Sequence, residues 1–279
     1  MSVSLNLRGF LVALLFGSST LAIAQGRTDP PVWAPQSGQV GKDVVWVPTP
    51  DGVISQMLRM ANVTPKDLVY DLGTGDGKVA IAAAKIGAHS VGVAYSPDVV
   101  QTVQANFLKE GVSDRAHVRY GNVFTTDLSQ ATVVTLHLLP ALNLKLRPNL
   151  LTMRPGTRIV SHGFGMDDWG PDEKVTLTAG AACPTAPCNL YMWIVPAQVA
   201  GNYKVTWGDV ALTQRFQILS GTLRTAEGTV SAIEGRVRGH EVTLTAGGKR
   251  YSGRVTGNQL EMFVSPPDRN PVRPPPKKG

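Results

Sequence analysis

The residues best placed to do chemistry in this chain are Asp71, Gly73, Thr74, Gly75, Asp76 and Gly77, within Val69-Tyr70-Asp71-Leu72-Gly73-Thr74-Gly75-Asp76-Gly77. A short apolar strand runs into an acid, then into three glycines at alternate positions, then into a helix from about Lys78. Glycine lets the backbone turn tightly and approach a ligand closely. A helix N-terminus aimed at such a turn reads as a nucleotide-type site on a Rossmann-like sheet. A phosphate-binding P-loop needs four residues between its glycines and Ser or Thr after its lysine; here three residues separate Gly73 from Gly77, and Val79 follows Lys78. A dinucleotide fingerprint needs Gly-x-Gly-x-x-Gly, and Asp71 and Asp76 would repel a pyrophosphate. A tight strand-to-helix turn without a ligand is the plain alternative.

Two histidines are candidate catalytic groups. His137 lies in an apolar strand, and His162 lies where a later strand opens into the loop Ser161-His162-Gly163-Phe164. Either can accept a proton, and either can equally be a packed, satisfied side chain. Asp167, Asp168 and Trp169 line a substrate mouth on one reading and a solvated loop on the other. The five His are scattered without ligand spacing, so no metal site is expected. Ser96 has no glycine frame around it, so a serine nucleophile is not expected either.

These residues need a scaffold. Thr49 is a good N-cap and Pro50 suits a first helical position. Val53, Ile54, Met57, Leu58 and Ala61 follow at helical spacing, in a helix ending near Asn62. Strands are expected over 68–72, 90–95, 117–120, 131–138 and 158–161, with helices over 78–86, 97–108 and 143–152, the last despite Pro148. Such alternation means a parallel sheet covered on both faces. Two further strands, 175–177 and 190–195, flank the loop holding Cys183 and Cys188. Beyond Pro196 the pattern changes to short alternating segments with Gly-rich turns, at 212–219, 221–225, 241–245, 250–255 and 259–264. This reads as a small antiparallel β unit, a barrel or a curled sheet.

The ends carry different information. Residues 10–22 are mostly apolar, Arg8 precedes them, and Ala22-Ile23-Ala24 is a small-x-small cleavage site. That is a secretory signal peptide over 1–24, cut near Ala24-Gln25, and it implies a periplasmic or secreted protein with no stable membrane span after cleavage. A polar, Pro- and Gly-rich arm follows over 25–45. Cys183 and Cys188 are the only cysteines, and in an exported chain a close, even pair most simply forms one disulfide; two free thiols are the alternative. The formal charge of +7 is concentrated in the tail 266–279, with Arg269, Arg273, Lys277 and Lys278. That tail is disordered by composition. No aromatic-interleaved basic patch accompanies it, so no nucleic-acid partner is expected.

The glycine loop resembles that of the class I S-adenosylmethionine-dependent methyltransferases. The likeness extends to Val47-Pro48-Thr49-Pro50, to Thr132-Val133-Val134-Thr135-Leu136-His137-Leu138-Leu139-Pro140, to Asn143-Leu144-Lys145-Leu146-Arg147-Pro148, to Pro155-Gly156-Thr157-Arg158-Ile159-Val160-Ser161, and to Trp193-Ile194-Val195-Pro196-Ala197. Together these resemble the small protein-lysine methyltransferase-like family, and within it an exported bacterial subset. The resemblance implies an α/β fold: a Rossmann-like seven-stranded methyltransferase sheet over 46–198, closed by a β-hairpin, followed by the antiparallel unit over 199–265. A disulfide in the hairpin loop would then stabilise modestly, by roughly 2 kcal/mol. The cofactor implied is S-adenosyl-L-methionine, held by Thr49, Asp71, Gly73, Thr74, Gly75, Asp76, Gly77, Tyr95, Asn122 and Val123. Asp71 would face its cationic end, and Trp46 with Thr49 would close over it.

Two departures stand out. The acid that usually follows the second strand and accepts the ribose hydroxyls falls on Ala94. A methyl group accepts no hydrogen bond, so an expected contribution of about 1.5–3 kcal/mol is absent, and affinity would fall roughly tenfold to a hundredfold. Tyr95, Ser96 or a water is left to substitute. After the third strand Asn122 replaces the usual Asp, and its side-chain oxygen can still accept from an adenine amino group. Two functions follow. One is an enzyme that methylates a protein side chain or small amine in the cell envelope. The other is a non-catalytic exported binding protein on a degenerate methyltransferase fold, favoured by Ala94 and by export away from the cytoplasm, where the cofactor is made. The acceptor and the oligomeric state are not legible in the sequence.

Overall fold

A computed structural model describes residues 47–180, 182–184, 187–257 and 259–264. The expected signal peptide, lead-in arm, Trp46 and basic tail lie outside the described residues. The chain opens with α1 (Asp51–Met60) and continues β1 (Leu68–Leu72), α2 (Lys78–Ile86), β2 (His89–Ala94), α3 (Pro97–Lys109), β3 (Ala116–Tyr120), β4 (Val133–Leu136), α4 (Pro140–Leu151), β5 (Arg158–His162), β6 (Glu173–Leu177) and β7 (Cys188–Ile194). These seven strands form one sheet in the order β3-β2-β1-β4-β5-β7-β6. The first five are parallel, and β7 runs antiparallel between β5 and β6.

Successive strand residues point to opposite faces, and the core divides accordingly. Val69, Val133 and Val160 meet Val53, Ile54 and Met57 of α1 on one face. Tyr70, Val134 and Ile159 meet Leu146 and Leu150 of α4 on the other. By the same alternation Asp71, Thr135, His137 and His162 fall on the α1 face, at the carboxyl ends of their strands. No helix lies between β3 and β4 or between β5 and β6. Coverage by helices is therefore less complete than the sequence pattern implies.

Two local expectations are corrected. Pro50 is the N-cap of α1 rather than its first helical residue, and no side chain caps the helix; Thr49 is turned elsewhere. Helix α4 begins three residues earlier than expected and runs through Pro148. Pro148 is exposed, so water can serve the carbonyl that its missing N–H leaves unpaired.

The second sheet is a continuous meander: β8 (Gly201–Val205), β9 (Gly208–Arg215), β10 (Ile218–Arg224), β11 (Val230–Arg238), β12 (Glu241–Ala246), β13 (Lys249–Thr256) and β14 (Gln259–Val264). It has seven strands rather than the five expected. The segment read as one strand over 212–219 is broken by a turn at Phe216-Gln217, and β8 and β11 are additional to the sequence pattern. The sheet curls until β14 nears β8 without hydrogen-bonding to it. Glycines permit the curl: a Cβ on Gly221 would lie 1.9 Å from the Ala211 carbonyl oxygen, and one on Gly253 would lie 2.0 Å from that of Glu261. Alternate residues, among them Leu212, Leu219, Ile233, Val242 and Leu244, fill the inside.

Candidate active site

The glycine loop joins β1 to α2, and its three glycines all take positive φ: Gly73 at 81°, Gly75 at 56° and Gly77 at 84°. Only glycine occupies that region without strain. Gly77 has a second constraint, since a Cβ there would lie 2.9 Å from Val103 and 3.0 Å from Phe107 of α3. The loop is pinned to β2 by the Gly73 and Thr74 N–H groups, each donating to the Val93 carbonyl at 3.1 Å.

Asp71 is buried at the end of β1. Burial raises its pKa to about 6, against the lowering effect of the Thr135 and Thr74 hydroxyls. Thr135 donates to Oδ1 at 2.7 Å, whereas the buried Thr74 hydroxyl makes no hydrogen bond of ordinary geometry. Thr74 fits beside Asp71 because Gly92, opposite Asp71 in the β1–β2 ladder, has no side chain; a Cβ on Gly92 would come within 2.6–2.9 Å of Thr74 side-chain atoms. Burial also raises the pKa of Asp76, opposed by the Lys78 backbone N–H and by the Lys78 ammonium, which lies 4.0 Å away.

A cleft opens above this loop. It brings together Thr49, Asp71, Gly73, Thr74, Gly75, Asp76 and His137 from the sequence reading, and adds Ile54 and Met57 of α1 with Leu136 and Leu138 at the end of β4. Gly77, Tyr95, Asn122, Val123 and His162 do not line it. Ala94 is buried at the end of β2. Tyr95 after it is half exposed and stacks on Tyr120, with ring centres 6.1 Å apart. Asn122 is exposed, and its side-chain oxygen already accepts the Phe124 N–H at 2.9 Å. Its expected role as a spare acceptor is therefore partly consumed in shaping the turn.

The two histidines are neighbours. Their rings are 4.1 Å apart, centre to centre, and the Thr49 hydroxyl lies between them, 3.0 Å from Nδ1 of His137 and 3.3 Å from Nδ1 of His162. A hydroxyl has one proton, so Thr49 donates to one ring and accepts from the other, and the two imidazoles hold complementary tautomers. Burial lowers the pKa of His137, partly offset by a hydrogen bond with the Val47 backbone. Burial, then the nearby His137, lowers His162 to about 4. Both are neutral at pH 7. The sequence nominates Thr49 and both histidines but not their union, which joins residues 88 and 113 positions apart. The expected mouth of Asp167, Asp168 and Trp169 is absent as such: Trp169 is fully buried, and Asp168 is ion-paired to Arg147 and Arg215. Among the described residues no group of three His, Cys, Asp or Glu could hold a metal ion.

Comparison with known proteins agrees with this geometry. The family model of the ANTKMT methyltransferase domain matches residues 71–173. A protein-lysine N-methyltransferase from Saccharolobus islandicus is 44% identical over 140 residues, covering 49% of this chain and 87% of the relative. A human ATP synthase lysine N-methyltransferase is 28% identical over 165 residues, 59% of this chain and 69% of the relative. An RNA methyltransferase from Salinibacter ruber, solved with S-adenosyl-L-homocysteine, is 42% identical with a TM-score of 0.51, covering 57% of this chain and all of that one. The fold and site thus define a class I methyltransferase that uses S-adenosylmethionine. Within that class, the chain belongs to the protein-lysine methyltransferase-like family.

The residues present fit this cofactor. Asp71 is a buried carboxylate with no cation among the causes that set its pKa, which suits a positively charged ligand. The Thr74 hydroxyl beside it lacks a partner, and the glycine loop leaves the approach to both unobstructed.

Proposed function

We propose that this protein methylates a lysine side chain of a protein in the cell envelope. In this reading Thr49, Asp71, Gly73, Thr74, Gly75 and Asp76 border the cofactor, and Gly77, Tyr95, Asn122 and Val123 lie toward its nucleoside end. Bound S-adenosylmethionine supplies an electrophilic methyl group on a sulfonium, and the chemistry is otherwise the cofactor's own. The protein's work is to align the acceptor and exclude water.

The observation that carries the reading is the His137–Thr49–His162 cluster beside the cleft. A lysine amine has a pKa near 10.4 and attacks only when neutral. His162, at about 4, is too weak to remove that proton outright: a gap of about six units corresponds to roughly 9 kcal/mol. The cluster instead offers uncharged hydrogen-bond acceptors in apolar surroundings, with Leu136 and Leu138 nearby. Such a site receives a neutral amine and disfavours an ammonium. The location rests on the apolar segment 10–22 with its cleavage site, and on the Cys183–Cys188 disulfide, which suits an oxidising compartment.

The test is label transfer from tritium-methyl S-adenosylmethionine to an envelope protein fraction and, separately, to total RNA. Label in methyl-lysine after protein hydrolysis is expected, with kcat/KM rising about tenfold per pH unit from 7 to 9 as the amine deprotonates. Label in RNA alone would sink the lysine reading. No transfer, together with no calorimetric binding of S-adenosyl-L-homocysteine, would favour the non-catalytic alternative.

A further inference from the structure

The antiparallel unit reaches into the methyltransferase sheet at the β9–β10 turn. Phe216 at its tip has φ +54°, an unusual conformation for a bulky residue. It is held there by Gln214, whose Nε2 donates to the Phe216 carbonyl at 2.7 Å and to the Ala197 carbonyl at 2.9 Å. The Phe216 ring stacks on Trp169, with centres 5.9 Å apart and planes 22° from parallel. The guanidinium groups of Arg147 and Arg215 lie 5.5 and 5.9 Å from its centre, and both arginines pair with Asp168. Gln217, itself buried, donates to the Gly170 carbonyl.

Asp168, Trp169 and Gly170 belong to one segment, the β5–β6 loop that begins directly after His162. The loop's near end is tied to the site. Ser161 Oγ donates to the Phe164 carbonyl at 2.7 Å, and a Cβ on Gly163 would lie 4.0 Å from the His137 ring. Its far end depends on Trp169, which is fully buried although its indole N–H has no acceptor. An unpaired buried donor costs on the order of 1–3 kcal/mol. Aromatic packing against Trp193 and Phe216 must offset that cost. Without Phe216, water reaches the indole and the balance favours an opened loop.

We propose that Phe216 is a positioning residue for methyl transfer: the β9–β10 tip clamps the β5–β6 loop and through it fixes the surroundings of His162. The antiparallel unit is then part of the catalytic domain rather than an appended module. The inference rests on the His137–Thr49–His162 reading for its catalytic consequence, but not for its structural one.

Phe216→Ala and Phe216→Tyr in the full chain test it, read by tryptophan emission, histidine NMR titration, calorimetry with S-adenosyl-L-homocysteine, and kinetics. For Phe216→Ala, tryptophan emission shifts to the red and the His162 midpoint climbs from about 4 toward 6.5. Cofactor-product affinity stays within about threefold, because the loop does not line the cleft, and kcat falls at least tenfold. Phe216→Tyr keeps the stack and restores all four readouts. Unchanged emission and an unchanged His162 midpoint would overturn the clamp. Altered spectra with unchanged kcat would overturn the catalytic consequence and, with it, the assignment of His162. Loss of product binding in proportion to kcat, unrescued by tyrosine, would mean general unfolding and also overturn the proposal.

Discussion

The Thr135 hydroxyl, on the strand next to Asp71, donates to the Asp71 carboxylate at 2.7 Å. It is the strongest of the influences holding that buried group below the value burial alone would give. Removing it by Thr135→Val takes away a hydrogen bond to a charged group, about 1.5–3 kcal/mol, or about one to two pH units. Wild-type affinity for S-adenosyl-L-homocysteine should weaken as pH falls through about 6, because protonated Asp71 no longer attracts a cationic amine. In Thr135→Val the same weakening should begin above pH 7. Calorimetric titrations from pH 5 to 8 on both proteins decide it, and coincident profiles would remove Asp71 from the cofactor site.

Asp71 and His162 exert opposite effects on stability. Asp71 has a folded pKa raised from 3.8 to about 6, so the folded state binds the extra proton between those values and this group's contribution declines as pH rises from 4 to 6. His162 has a folded pKa lowered from 6.5 to about 4. Its unfolded state binds the extra proton, so its contribution declines as pH falls from 6.5 to 4. Each effect is on the order of 3 kcal/mol, and the two nearly cancel. Asp71→Asn should unmask the histidine: urea unfolding of that variant loses roughly 3 kcal/mol between pH 6.5 and 4, while the wild type changes little. A flat profile in the variant would contradict the burial of a neutral His162.

Gly92 and Thr74 should couple. Gly92→Ala places a methyl group against the Thr74 side chain, and overpacking of this kind costs about 1–3 kcal/mol. It should also shift Thr74 against Asp71 and weaken product binding about tenfold. Thr74→Ser removes the crowded methyl, so the double variant should recover much of the lost stability. A double-mutant cycle by thermal unfolding measures the interaction, and strict additivity would refute the contact.

The disulfide bears on the cleft through α1. Cys183 is fully buried in the cluster containing Val53, Ile54 and Met57, and a Cβ on Gly52 would lie 2.4 Å from the Ala182 backbone. Cys183→Ala with Cys188→Ala should lower stability by roughly 2 kcal/mol. Because Ile54 and Met57 wall the cleft, product affinity should fall several-fold as well. Stability lost without any change in affinity would show that the α1 wall is independent of the bridge.

Much of this protein is written locally. The glycine loop is legible because the positive φ angles at Gly73, Gly75 and Gly77 admit glycine almost alone. The parallel strands are legible because runs such as Val133–Leu136 are buried on both faces and therefore continuously apolar. The β8–β14 meander is less legible. Strand β8 is short and largely exposed, and the β9–β10 turn carries Phe216 and Gln217, residues that give no turn signal. Thr49 has the sequence context of a helix cap, because Thr-Pro before an amphipathic run usually is one, yet its hydroxyl serves two histidines from distant strands.

The sequence by itself determined the sheet, the cofactor loop and the class of chemistry, since each depends on backbone conformation and side-chain period within a few residues. Only the tertiary structure decided which histidines meet, which hydroxyl joins them, and that a turn from the second sheet holds the loop beside them. Those contacts depend on strand order and on which face each strand end presents, and chain spacing carries no record of either.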